Sequence, residues 1–131
     1  MIVDLLRNDL ARIAEPFSVQ VPELFRIEAL PTVFQMSSDV AATTRTGTTL
    51  TDVFTALFPC GSVTGAPKVQ AMRLIHALET QPRGIYCGAI GVVRPGGHAT
   101  FNVAIRTATL LPGGKVLVTG GSVGINVFAS A

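Results

Sequence analysis

The sequence predicts an α+β fold, with several antiparallel strands and about three helices around one core. Three observations point there. Apolar residues recur at helical spacing in three separate stretches. Strand-like runs fill the last third of the chain. Two turn sequences, RPGGH and LPGGK, separate those runs closely enough to fold them back on one another. At 131 residues the chain suffices for one domain and is too short to argue for two.

Each element follows from local pattern. Ile2, Val3, Leu5, Leu6, Leu10 and Ile13, with Asp4, Arg7, Asn8 and Asp9 between them, make an amphipathic helix that ends before Pro16. No capping residue precedes it, so the chain is expected to begin inside an element. Apolar and polar residues alternate over 17–21 until Pro22 interrupts. A second extended stretch, 25–40, is broken at Pro31 and puts Val33, Gln35 and Ser37 on one face. After a Thr- and Gly-rich turn, Thr49 or Thr51 caps a helix carrying Val53, Phe54, Leu57 and Phe58, which stops near Pro59. A further helix from Pro67 to about Glu79 presents Val69, Met72, Ile75, Ala77 and Leu78 as its buried stripe; Pro82 and Gly84 end it. Strands over 85–93, 100–110 and 115–119 then form an antiparallel meander.

Composition narrows the function. A formal net charge of +2 and 14% charged residues leave no polybasic surface, which disfavours nucleic acid and anionic membrane as partners. No apolar run reaches the roughly 18–20 residues that span a bilayer, and Asp4 and Asp9 interrupt the only candidate leader. Few charges together with a mean hydropathy of +0.50 imply that much of the surface is meant to be covered by other protein, with self-association through it as one outcome. Cys60 and Cys87 lie in no metal-ligand spacing and read as small buried residues of a reduced, cytoplasmic protein.

Four features carry candidate chemistry. In GSVTGAPK, residues 61–68, Gly61 and Gly65 allow a tight turn and close approach, and Pro67 suits the first position of a helix. Ser62 and Thr64 add hydroxyls beside the free amides of the helix start, so the segment reads as a ligand-facing loop. It is not a nucleotide P-loop, because Ala66 and Pro67 separate Gly65 from Lys68. Along 100–110, Phe101, Val103 and Ile105 form a core face, while Asn102, Ala104, Arg106 and Ala108 line the other with one guanidinium, which suits a carboxylate or phosphate; a solvated Arg or a structural ion pair is the alternative. In 85–93, Tyr86 shares a face with Gly88, and two strand glycines, Gly88 and Gly91, ask for close approach by a ligand or another backbone; a packing role is the alternative for the tyrosine. Finally, GGSVG at 120–124 directly follows a strand, and its successive amides can form an anion-holding nest.

MIVDLLRNDL, LPTVFQMSS, FPCGSVTGAPK, AMRLIHALE, RGIYCGAIG and FNVAIRT, in this order and spacing, resemble the chorismate-binding enzymes over nearly the whole chain. GSVTGAPK with YCGAIG and FNVAIRT most resembles the branch of aminodeoxychorismate synthase (para-aminobenzoate synthase) component I, with anthranilate synthase component I as the alternative. The resemblance implies part of a larger, anthranilate synthase-like α/β sandwich. It also implies a Mg²⁺-dependent enzyme of the folate route that replaces the ring hydroxyl of chorismate with an amino group, the ammonia coming from a glutamine amidotransferase partner. Carried onto this chain, Arg106 grips a chorismate carboxylate and Tyr86 assists at the same end. Ser62 supplies the hydroxyl near the substrate, Gln35 stands close to the ring, and backbone around Gly121 and Gly124 holds a carboxylate.

The departures from that family are specific. The metal-binding Glu expected just before MIVDL, the upstream lysine motif, and the acidic residues expected after the glycine run have no counterpart among the 131 residues. The carboxylates present, Asp4, Asp9, Glu15, Glu23, Glu28, Asp39, Asp52 and Glu79, fall on none of the candidate pocket strands or glycine loops, whereas Mg²⁺ wants hard oxygen ligands in an octahedron. The expectation is a single partial domain over 1–131, the C-terminal half of a chorismate-binding domain truncated at both ends, that does not turn over alone. A non-catalytic carboxylate-binding module is the other reading.

Overall fold

The structure, a computed structural model, describes residues 1–119 and the backbone of 126–129. The class is α+β, as expected, and the chain divides into two compact units, Met1–Gly61 and Ser62–Ala131.

In the first unit, α1 (Ile2–Ala11) contacts both α2 (Leu50–Leu57) and the second strand of a hairpin, β1 (Gln20–Ala29) and β2 (Phe34–Ala41). Thr49 is the N-cap of α2: its side chain accepts from the Asp52 amide at 3.2 Å, and the Asp52 carboxylate accepts from the Thr49 amide at 2.8 Å. This reciprocal capping box satisfies two amides that the helix itself leaves open. The Thr49 bonds hold the Asp52 carboxyl below its ordinary value. The end of α1 is closed from a distance. Arg45 donates to the Ala14 carbonyl at 3.0 Å and to the Arg12 carbonyl at 2.7 Å, while Glu15 and Arg45 amides bond Thr43 and Ile13. Leu5 of α1 packs on Gly61, where a Cβ would lie 3.3 Å from Leu5 Cδ1.

β1 runs through Pro22, which interrupts no more than the local ladder. Its register against β2 shifts twice, between Gln20 and Glu23 and between Glu23 and Arg26. Phe25 sits in the second shift at φ +56, and its amide bonds Ser38 Oγ at 2.9 Å rather than a strand carbonyl. Gln35 lies opposite Glu28 on this hairpin and is exposed.

The second unit departs from the expected meander. Residues 61–68 are not all loop: Gly61–Thr64 forms one helical turn, α3, before α4 (Lys68–Leu78). Pro67 stands at the N-cap of α4 with extended ψ, one place ahead of the expected position. Only β3 (Ala89–Val93) of the 85–93 stretch is a strand; residues 84–88 are turn and bend. The 100–110 stretch splits into β4 (Ala99–Val103) and β5 (Thr107–Leu110), and β6 (Val116–Thr119) follows. β3 and β4 pair antiparallel across RPGGH, with Gly96 and Gly97 at φ +87 and +82. β5 and β6 pair across LPGGK. β4, however, takes β7 (Asn126–Ala129) as its second neighbour, so the two hairpins belong to separate sheets.

Most of the buried apolar residues among those described are small. Ala14, Ala56, Leu57 and Cys60 are buried in the first unit, and Cys87, Ala99, Val103 and Ala104 in the second. Both cysteines are thus buried and outside any disulfide, in keeping with the reading of them as small buried residues. Larger side chains face outward. The expected apolar stripe of α4 is not buried in this structure: Val69, Met72, Ala77 and Leu78 are exposed, Leu78 at 79%, Ile75 is half-buried, and no residue of that helix is buried. The same holds for Phe34 and Met36 of β2 and for Val116 and Val118 of β6. The described residues thus leave many large apolar side chains exposed. No helix among the described residues is long and apolar enough to cross a membrane.

Candidate functional site

The second unit brings several candidate residues onto adjoining turns. The β3–β4 ladder pairs Ala89 with Val103 and then continues by one irregular step. The Cys87 amide donates to the Ala104 carbonyl at 2.9 Å, and the Ala104 amide donates to the Gly88 carbonyl at 3.0 Å. That rung joins the turn carrying Tyr86 to the bend carrying Arg106. Both sides are sharply folded at this point. Cys87 adopts φ +64 and Arg106 φ +50, conformations that L-residues seldom hold without support from their surroundings. Beyond the rung, the Ile105 amide bonds the Val103 carbonyl at 2.9 Å, a tight turn centred on Ala104. Thr107 Oγ1 then bonds the Ile105 carbonyl at 3.1 Å, and Thr119 Oγ1 bonds the Thr107 carbonyl at 3.0 Å.

The alternation expected along 100–110 therefore fails at this turn. Val103 and Ala104 are both buried, although a continuous strand would put them on opposite faces. Arg106 leaves the bend exposed, so its guanidinium is offered by a kink between two strands instead of from the middle of one. Gly91 also has a different explanation from a ligand. A Cβ there would lie 2.1 Å from the Thr100 carbonyl oxygen and 2.3 Å from Phe101 Cδ1. The facing strand itself occupies the space.

Tyr86 is half-buried, and Arg83 stacks over it with Cζ 5.9 Å from the ring centroid. Arg83 is a residue that the sequence reading passed over. It holds Glu79 in a fork, Nε to Oε2 at 2.8 Å and Nη2 to Oε1 at 2.6 Å, and its Nη1 donates to the Val63 carbonyl at 3.4 Å. The available signal was the Glu79, Arg83 spacing of four, a pairing distance along a helix. The hydrogen bond from Arg83 holds the Glu79 carboxyl below its ordinary value, and Glu79 in turn raises Arg83. The phenol of Tyr86 is pushed up, first by its electrostatic interaction with the neighbouring Cys87 and then by desolvation.

Ser62, on α3, has its Oγ shut off from solvent with no hydrogen-bond partner. A hydroxyl left in this state costs about 1–3 kcal/mol, which a ligand group reaching it would recover. Gly65, at φ +131, follows the same helical turn, and a Cβ there would press on Ala71 Cβ at 3.1 Å. Gln35 belongs to the first unit. Gly121 and Gly124, with the rest of 120–124, lie outside the described residues.

Chemically, an exposed guanidinium, a phenol and a buried hydroxyl without a partner suit the recognition of a small oxygen-rich acid. They do not suit a metal. Among the described residues no three His, Cys, Asp or Glu side chains come together in a way that would hold an ion, so these residues do not fit the octahedral oxygen cage expected for Mg²⁺.

Comparison with known proteins identifies the pattern. Residues 1–127 match the chorismate binding enzyme family. The chain is 46% identical over 123 residues to aminodeoxychorismate synthase component 1 of Klebsiella aerogenes, covering 94% of this chain and 27% of that protein. The same protein from Escherichia coli (strain K12) is 43% identical with the same coverage. Anthranilate synthase component 1 of Aquifex aeolicus is 46% identical over 108 residues, 82% of this chain and 22% of that one. The crystal structure of anthranilate synthase component I from Streptococcus pneumoniae TIGR4 superposes with a TM-score of 0.79 at 38% identity, over 98% of this chain and 28% of that chain.

Proposed function

The chain belongs to the chorismate-binding enzymes, and from that premise we propose that it is the substrate-holding part of an aminodeoxychorismate synthase component I. In this reading Arg106 takes a carboxylate of chorismate in a charge-assisted, two-point contact, Tyr86 donates its phenolic proton at the same end, and the Ser62 hydroxyl meets a polar group of the substrate. The observation that carries it is the rung at Cys87, Gly88 and Ala104, which joins the Tyr86 turn to the Arg106 bend. Replacing the ring hydroxyl by ammonia needs stabilisation of the departing oxygen, which Mg²⁺ supplies when bound. The proposal assigns its ligands, and the docking of a glutamine amidotransferase, to parts of the relatives that this chain does not span. The isolated chain is then a binding element without turnover.

The test is a chimera in which the chain replaces the matching 123-residue segment of the Klebsiella aerogenes protein. It should form aminodeoxychorismate from chorismate and ammonia. Arg106→Ala should lower kcat/KM by about 10- to 100-fold, the worth of one hydrogen-bonded charge. A folded chimera without product overturns the proposal. Anthranilate as the product would favour the second reading, which the 46% identity to the Aquifex aeolicus protein supports.

A further inference from the structure

Arg83 has no part in the reading above, yet it contacts Tyr86 and the residue next to Ser62, on two of the turns that reading uses. Its Nη1 reaches the carbonyl of Val63, the residue after Ser62. Its backbone carbonyl accepts from the Tyr86 amide at 3.1 Å, and its guanidinium covers the Tyr86 ring. Glu79, the C-cap residue of α4, grips the other edge through Nε and Nη2. The Arg83 side chain keeps 27% of its surface exposed and Glu79 40%, so the fork stands partly in solvent and is held by its geometry. A planar guanidinium can meet three directions at once, which an ammonium cannot reproduce.

We propose that Arg83 is a positioning residue, locked by Glu79, that fixes the Tyr86 ring against the turn bearing Ser62 so that the two present a single, preformed surface to the substrate. This rests on the reading that those two turns line the substrate site. It extends that reading to a residue that itself touches no substrate. Preformed contact groups lose less freedom on binding and hold the reacting geometry, so release of the fork should lower kcat/KM while leaving the fold in place.

The chain offers a private reporter for this. Tyr86 is its only tyrosine, and it has no tryptophan, so tyrosine absorbance and fluorescence read this one ring. In the chain without ligand, Arg83→Met should lower tyrosine anisotropy and move the phenol titration upward, because a cation that favours phenolate is gone. Arg83→Lys keeps a charge and should leave the ring equally mobile. Glu79→Gln, which leaves Arg83 itself in place, should loosen it as well. Far-UV circular dichroism should match the parent in all three, and either Arg83 variant that fails that criterion is replaced in the comparison by Glu79→Gln. In the chimera, Arg83→Met and Glu79→Gln should each lower kcat/KM about tenfold.

Unchanged tyrosine anisotropy and titration in both Arg83→Met and Glu79→Gln would overturn the proposal. So would unchanged kcat/KM in a chimera that turns over. A chimera that makes no product even with Arg83 intact speaks against the proposed function, while the ligand-free tyrosine readings still decide whether Arg83 orders the ring.

Discussion

Replacing Gly91 with alanine tests the packing that holds the Tyr86 turn to the Arg106 bend. The added Cβ would meet the Thr100 carbonyl oxygen at 2.1 Å, Phe101 Cδ1 at 2.3 Å and Phe101 Cα at 2.8 Å. Two of those three atoms are backbone of the paired strand, so rotating the Phe101 side chain relieves only one contact. Inserting a methyl group into filled space costs about 1–3 kcal/mol, and a clash with main chain belongs at the upper end. For a domain of this size about 3 kcal/mol corresponds to roughly 10 °C in the thermal midpoint. The assay is thermal unfolding followed by far-UV circular dichroism, on Gly91→Ala alone and combined with Phe101→Leu. The expected result is a loss near that size, with little recovery in the double variant because the Thr100 oxygen and Phe101 Cα remain. An unshifted midpoint would refute the argument. It would mean that the facing strand does not fill this space and that a ligand must again be considered as the reason for the glycine.

Other consequences can be checked with simpler measurements. Thr49→Ala removes one side of the α2 capping box and should cost about 1 kcal/mol in urea unfolding. Because Asp52 titrates below its ordinary value of 3.8 in the folded chain, its contribution is complete above that pH and is lost as the pH falls through the lowered value. The Thr49→Ala deficit should therefore shrink in acid. Cys87→Ala removes the neighbour whose electrostatic effect most raises Tyr86, so the tyrosinate absorbance should appear at lower pH than in the parent. In the parent, the raised Tyr86 contributes stability that is complete below its ordinary value of 10.0 and is lost as the pH climbs through the raised one.

Local signals were the readable part of the sequence. The cap of α2 follows from a threonine three residues before an aspartate, and the hairpin turns follow from PGG at both sites. What depends on distant partners was not readable. The carbonyls at the end of α1 are satisfied by Arg45, about thirty residues away, and nothing at residues 12–14 announces it. The α4 stripe shows the reverse problem. Periodicity identifies a face that wants burial, whereas burial depends on what packs there, and in this structure the face is open. The break at 104–106 left no signal because an alanine and an arginine give no warning of a tight turn and φ +50. Arg106, Tyr86 and Ser62 were readable as candidates from residue type and, for Ser62, from a helix start beside it. The strand alternation invoked for the first two does not hold, because both stand on turns, and that the Ser62 hydroxyl is buried had no signal. Arg83 was missed because its role depends on three contacts whose meeting no spacing rule encodes.

The rung formed by Cys87, Gly88 and Ala104 gears two loops together. A residue deleted from either side would carry the next amide past its acceptor and swing every following side chain to the opposite face. Substitutions in one loop should therefore be felt in the other, while loss of a residue from RGIYCGAIG would misalign FNVAIRT as surely as a cut within it.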